Sequence, residues 1–192
     1  MLYITLTDDN SYRSQHEEGR LLLLKGVQQE YGLTLTQENI SVDRFGKPFF
    51  REYPGIHFSI SHCDGLAGCL ISKSECGLDC ERIRPARYKV AKRVFSPEEF
   101  RLFEKLHGDT QDIFFTSLWT LKEAYSKLCG RGLAVIKEIS FHGDKNGRII
   151  SCCPGLEFRQ YRLGEHIISL CGDDLPEVEY EELSPFLFRA EE

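Results

Sequence analysis

Gly77-Leu78-Asp79-Cys80-Glu81 reads as a short strand, and the rest of the chain falls into place on either side of it. Upstream, residues 40–43, about 56–61 and 66–72 also read as strands, separated by Gly and Pro punctuation. They follow one helix, residues 11–31, with Leu21, Leu24 and Val27 among its inward positions and Gly32 as its stop. Downstream, residues 87–95 read as a short basic helix. Ser96-Pro97-Glu98-Glu99 starts the next: Ser96 caps, Pro97 takes the first turn and Glu99 closes a capping box. That helix is expected to reach about His107. A longer one runs from about Thr110 to Leu128 and ends at Gly130-Arg131-Gly132. From Val135 onward the pattern alternates like strands, with a turn at Asp144-Lys145-Asn146-Gly147. Helix, strands, helices, strands, in separate runs, imply an α+β fold in two layers or two halves.

The chain has 192 residues, 41% hydrophobic and 28% charged. This is enough for a core without disulfide staples, and the composition excludes disorder, collagen and coiled coil. The longest apolar run is Leu21 to Leu24, so no membrane helix is expected. No secretory signal is visible, and a cytoplasmic location with free thiols is expected for the eight cysteines, since the paired C-x-x-C spacing of zinc sites is missing. The net charge of −6 argues against nucleic acid as a partner. Residues 173–192 hold eight acids against Arg189, so an acidic tail follows a body of about +1.

On a strand, residues two apart face the same side. Asp79 and Glu81 are then like charges side by side, which is unfavourable without a cation or proton between them. A hard divalent ion, Mg²⁺, would resolve the conflict and keep positions open for water and phosphate oxygens. Two exposed acids near Arg82 and Arg84 fit the pair equally well. In Trp119 to Lys127, the residues Trp119, Glu123 and Lys127 are spaced i, i+4, i+8 and share a helix face. They read either as a surface ion pair beside a core Trp, or as a third carboxylate and a cation for phosphate. Gly46-Lys47-Pro48 presents an extended Lys, because the residue before Pro avoids the helical region. Phe58-Ser59-Ile60-Ser61-His62 ends a strand with a hydroxyl and an imidazole, both able to meet an anion or to bond locally.

In this order, these pieces resemble the 4′-phosphopantetheinyl transferases of the two-half Sfp type. Phe95 to Glu99 and Gly130-Arg131-Gly132-Leu133 join the match, which runs from about Gly19 to Phe141. Gly19-Arg20-Leu21 with Lys25 adds a weaker likeness, to the family's basic helix near coenzyme A. The resemblance implies two similar α+β halves, residues 1–76 and 77–192 (the latter including the tail), with the site in the cleft between them. It implies transfer of the phosphopantetheine arm of coenzyme A to a serine of an acyl, peptidyl or polyketide carrier protein, with adenosine 3′,5′-bisphosphate leaving. Asp79, Glu81 and Glu123 would bind Mg²⁺. Glu123, or a water on the metal, would take the serine proton, and Lys127 would offset charge on the leaving phosphate. Gly46, Lys47 and Pro48 would line the nucleotide, Ser61 and His62 would contact phosphates, and Arg20 and Lys25 would be further phosphate partners. Cys80 stands where the family usually has an aliphatic residue, and it should point away from the metal. A monomer is expected, because two halves build a cleft within one chain. Six basic groups in residues 82–93 offer a docking surface for an acidic carrier. A Mg²⁺-dependent phosphodiester hydrolase, or an inactive homologue that binds carrier proteins or coenzyme A, are the alternatives.

Overall fold

A computed structural model describes residues 1–9, 11–144, 149–176, 178 and 184–185. Lys145 to Gly147 of the predicted turn and most of the acidic tail lie outside these residues. The chain opens on a strand that the sequence pattern does not announce, β1 (Leu2–Leu6). Helix α1 (Tyr12–Tyr31) follows, capped by Ser11 and stopped by Gly32 in the left-handed region. Its buried line is Gly19, Leu23, Gly26 and Val27 rather than the Leu21 expected, which is exposed. The two glycines, seven residues apart, let the helix backbone settle onto Ile60 and Ile71, and that contact sets the inward face. Strands β2 (Ile40–Val42) and β3 (Pro48–Phe50) form a small hairpin, and β4 (His57–Cys63) and β5 (Leu66–Ser72) a longer one.

Strand β6 (Cys76–Arg82) then leads into α2 (Tyr88–Val94), α3 (Pro97–Lys105) and α4 (Gly108–Cys129). Val135 does not start a strand. Gly132–Glu138 winds into a 3₁₀ helix, because Val135, Ile136 and Ile139 are all buried and a strand would turn one of two adjacent residues outward. Strands β7 (Phe141–Gly143), β8 (Ile149–Ser151), β9 (Glu157–Leu163) and β10 (His166–Gly172) complete the body, and β11 (Ser184–Pro185) pairs with β9.

The antiparallel order is β1-β5-β4 in the first sheet and β6-β10-β9-β11 in the second. In each, the opening strand, β1 or β6, pairs with the second strand of a later hairpin, β4-β5 or β9-β10, and a further two-stranded hairpin stands apart, β2-β3 or β7-β8. The two paths are alike up to β11, which adds an edge to the second sheet only.

Strand β5 is buried along its whole length, which is why its sequence is a continuous apolar run rather than an alternation. Cys69 and Ile71 pack with α1, while Leu66 and Leu70 meet Leu78 and Cys80 of β6 in a second cluster. Cys80 thus points away from Asp79 and Glu81, as strand parity requires. The opposite face of β6 lies under α4. A Cβ on Gly77 would stand 1.9 Å from the Ala124 carbonyl oxygen, so only glycine lets the helix backbone rest on this strand. This contact aims the 119–127 face of α4 at the acidic face of β6.

Candidate active site

The far edge of β6 faces β4 without a ladder of backbone bonds. Two serines replace it: Leu78 N–H donates to Ser59 Oγ (2.9 Å) and Cys80 N–H to Ser61 Oγ (3.2 Å). Buried backbone donors need such partners. Ser61 then donates to Asp79 Oδ1 at 2.9 Å. Lys127 of α4 closes the group, with Nζ 2.8 Å from both Asp79 Oδ1 and Ser61 Oγ. Ser61 is thus a strut between strands that also orients Asp79.

Glu81 accepts from the Trp119 indole N–H at 3.3 Å, and Arg87 lies over that indole with its guanidinium carbon 5.4 Å from the ring centre. The i, i+4, i+8 face of α4 therefore does meet the acidic strand. Burial, and next to it the Asp79 charge, push the Glu81 carboxyl above its ordinary value. Burial and Asp79 push Glu123 up to about 7, against the pull of Lys127. Burial disfavours the Lys127 ammonium, but Asp79 outweighs it and holds the pKa above the usual lysine value. Three carboxylates thus share one neighbourhood with one lysine, and Asp79 Oδ2 is buried with no hydrogen-bond partner.

A cavity of about 290 Å³ opens beside this group. Its walls are Phe45 to Pro48, Phe58 to Ile60 of β4, Glu123, Ser126 and Lys127 of α4, and the turn at Gly130 to Leu133. The expected Gly46, Lys47, Pro48, Glu123 and Lys127 are gathered here. Lys47 Nζ donates to the Leu128 carbonyl at 2.8 Å and pairs with Glu75. Glu75 also meets His57 Nδ1 at 3.2 Å. Gly130, at φ +63°, turns the chain next to the Lys47 side chain. His62 instead faces α1, edge-on to Tyr12 and His16, and burial followed by His16 lowers its pKa. Arg20 donates to Gln37 at 3.2 Å, and Lys25 is exposed on α1; neither lines the cavity.

Several contributors carry no motif. Glu75 stands alone in sequence and shows its role only through Lys47 and His57. Glu99 shows as a helix cap, and its Oε1 also accepts from Phe141 N–H while Oε2 pairs with Lys122 at 3.0 Å, both side chains almost fully buried. A lysine adjacent to Glu123 gives no sequence signal that it points the other way.

The donor set suits a hard divalent cation: carboxylate oxygens only, one of them orphaned, with excess negative charge. As placed, the three do not converge, and among the described residues no three Asp, Glu, His or Cys side chains are grouped to hold a metal ion. Residues 75–171, just over half of the chain, match the 4′-phosphopantetheinyl transferase superfamily.

The chain belongs to that superfamily.

A 4′-phosphopantetheinyl transferase of Bacillus subtilis is 33% identical over 117 residues, 61% of this chain and 52% of that protein. The gsp transferase of Aneurinibacillus migulanus is 37% identical over 146 residues, 75% and 58% respectively. A holo-(acyl-carrier-protein) synthase from Bacillus anthracis, solved in complex with CoA (3′,5′-ADP), covers 50% of this chain and 92% of its own, at 19% identity and a TM-score of 0.45. The chain spans about half the length of the curated relatives it matches. The superfamily match covers β6, α2 to α4 and most of β10, so it includes Asp79, Glu81, Glu123 and Lys127. The Gly46 to Pro48 wall lies before it. Among the described residues, no helix is long and apolar enough to cross a membrane.

Proposed function

We propose that this protein moves the 4′-phosphopantetheine arm of coenzyme A onto a serine of an acyl, peptidyl or polyketide carrier protein, releasing adenosine 3′,5′-bisphosphate. Beyond family membership, the observation that carries the reading is the orphaned Asp79 oxygen beside two carboxylates of raised pKa, next to a cavity that Lys47, Glu123 and Lys127 line. Asp79, Glu81 and Glu123 would hold Mg²⁺, which when bound supplies charge neutralisation at the pyrophosphate and polarises the phosphorus.

The chain's own residues account for the rest. Glu123, whose pKa burial and Asp79 raise to about 7 while no cation is bound, or a water on the metal, would take the proton from the attacking serine. Lys127, kept charged by Asp79, offsets negative charge on the leaving phosphate. Lys47 would exchange Glu75 for a ligand phosphate. Phe45, Pro48 and Leu133 form an apolar rim for the nucleotide. The likeness of the two strand paths supports two halves, residues 1–76 and 77–192, that build the cavity between them within one monomer, which we place in the cytoplasm. Incubating the protein with coenzyme A, Mg²⁺ and a panel of apo carriers should add the arm's mass to at least one of them. Binding of coenzyme A with no transfer to any carrier would reject the enzyme in favour of a binding homologue, and coenzyme A cleavage without acceptor would indicate a hydrolase.

Glu123 also gives a test independent of turnover. A buried acid whose folded pKa is raised binds its proton more tightly in the folded state, so stability falls as pH rises from its unfolded value through about 7. Without divalent cations, the melting temperature of the wild type should drop across this interval, and Glu123→Gln should flatten the drop. Mg²⁺ should restore the wild type above pH 7 and leave Glu123→Gln less affected. Identical profiles for the two proteins would remove Glu123 from the cation site.

Arg82 and Arg84 of the basic segment are paired with Glu165 and Asp64, and Arg87 lies over Trp119. Lys89, Lys92 and Arg93 are exposed on α2. These three form the surface we assign to an acidic carrier. Reversing Lys89 and Arg93 to Glu should raise KM for the carrier severalfold and spare coenzyme A binding; an unchanged carrier KM removes the surface from docking.

A further inference from the structure

The eight cysteines are all free thiols, unevenly placed. Cys63, Cys69, Cys76, Cys80 and Cys171 are buried, where apolar surroundings keep a thiol protonated and inert. Cys129, Cys152 and Cys153 gather on one flank, outside the cavity. Cys129 ends α4, and Cys152 and Cys153 directly follow β8. Cys153 Sγ donates to the Tyr125 hydroxyl at 3.8 Å. Cys152 and Cys153 are adjacent in the chain, and Cys152 Sγ also lies 3.6 Å from the Glu138 carbonyl oxygen.

Cys152 is the exposed member. The backbone N–H of Ser140 donates to its sulfur at 3.3 Å, which favours the thiolate. Partial burial acts against the thiolate, yet the hydrogen bond from Ser140 helps to bring the pKa below the ordinary value. Burial pushes Cys153 the other way. An exposed thiol is therefore followed directly in the chain by a second one whose burial favours the protonated form.

We propose that Cys152 is a site of reversible oxidation by hydroperoxides, with Cys153 as its resolving thiol. The Cys152 thiolate attacks one peroxide oxygen; the S–O bond forms, the O–O bond breaks and the alkoxide or hydroxide leaves with a proton. Sulfur loses two electrons and the peroxide gains them, giving a sulfenic acid. Cys153 sulfur then attacks the sulfenyl sulfur, the S–S bond forms, the S–O bond breaks and water leaves. Adjacent Cα atoms lie about 3.8 Å apart across a trans peptide, closer than the ~4.4–6.8 Å of relaxed disulfides. The bond is accordingly strained and easily reduced, which makes the modification reversible.

The test treats the full chain with hydrogen peroxide, with and without dimedone, and maps the products by peptide mass. Without dimedone, the tryptic peptide of residues 149–159 should lose the two thiol hydrogens and regain them with dithiothreitol. With dimedone, the adduct should fall on Cys152. Cys153→Ser should raise its yield roughly tenfold, because the sulfenic acid is no longer consumed. Cys152→Ser should abolish adduct and disulfide together, with the buried thiols unlabelled as proof of an intact fold. Adducts on Cys129 or Cys153 in the wild type would overturn the assignment of Cys152. A bridge that excludes Cys152, or a yield unmoved by Cys153→Ser, would overturn the pair.

Discussion

Asp79→Asn is expected to abolish transfer of the phosphopantetheine arm while the protein still folds. Asp79 is where three demands meet: its Oδ1 takes hydrogen bonds from Ser61 and Lys127, and its Oδ2 is the buried oxygen with nothing to bond. Asparagine keeps the shape and one oxygen acceptor, so Ser61 and Lys127 retain a partner. It removes the charge that sustains the Lys127 ammonium and one anionic ligand for Mg²⁺. Loss of a single preorganised electrostatic group costs roughly 10²–10³-fold in rate, and loss of a metal ligand in the same substitution should exceed this. The fold should persist because Lys127, with a side chain 31% exposed, can be solvated, and because Glu81 and Glu123 remain nearby. The measurement is the mass gain of an apo carrier, with a thermal melt as the control for folding. A folded variant with wild-type turnover would remove Asp79 from the site. A destabilised one calls for Glu123→Ala, which leaves the Ser61–Asp79–Lys127 hydrogen bonds in place and should lose transfer equally.

The largest effect on stability belongs to Glu99. Its side chain is 1% exposed and that of its partner Lys122 is 0%, and the carboxylate also accepts from the backbone N–H of Ser96 and Phe141. It joins the start of α3, the middle of α4 and β7 at one point. Glu99→Ala leaves a buried ammonium with the Ile139 carbonyl and the face of the Phe141 ring but no anion, and strands two backbone donors. Breaking a buried pair in this way costs about 3–5 kcal/mol, against a total stability of roughly 5–15 kcal/mol. Urea denaturation should therefore show a midpoint lowered by at least about a fifth, down to no folded protein at all. Glu99→Gln with Lys122→Met removes both charges and keeps an acceptor for the backbone. It should recover much of the loss, since a buried pair contributes little net energy once both members are replaced. If Glu99→Ala cost less than about 1 kcal/mol, the junction would be an ordinary surface cap.

Much of the architecture was legible because its signals are local. Gly32 ends α1, Ser96 to Glu99 start α3, and Gly130 ends α4, each through backbone groups a few residues away. Strand β5 was legible because a strand covered on both faces must be apolar throughout. Strand β1 was missed because five residues carry too little periodicity to stand without their partner β5. Val135 and Ile136 were misread because a buried 3₁₀ turn and a buried strand are both simply apolar.

The sequence by itself determined the chemistry available: three carboxylates, Lys127 and Lys47, on elements whose periodicity puts Asp79 with Glu81 and Glu123 with Lys127. Those pairings need only the strand repeat of two and the helix repeat near four. What they face was decided by tertiary structure. Gly77 admits α4 onto β6, the Ser59 and Ser61 hydroxyls tie β4 to β6, and only then do Lys127 and Asp79 meet across 48 positions of chain. The same contacts gave Ser61 a structural task, turned His62 toward α1 and joined Lys47 to Glu75. Such partners are distant in sequence, and close-packing and the pairing of buried polar groups select them only once the layers have closed.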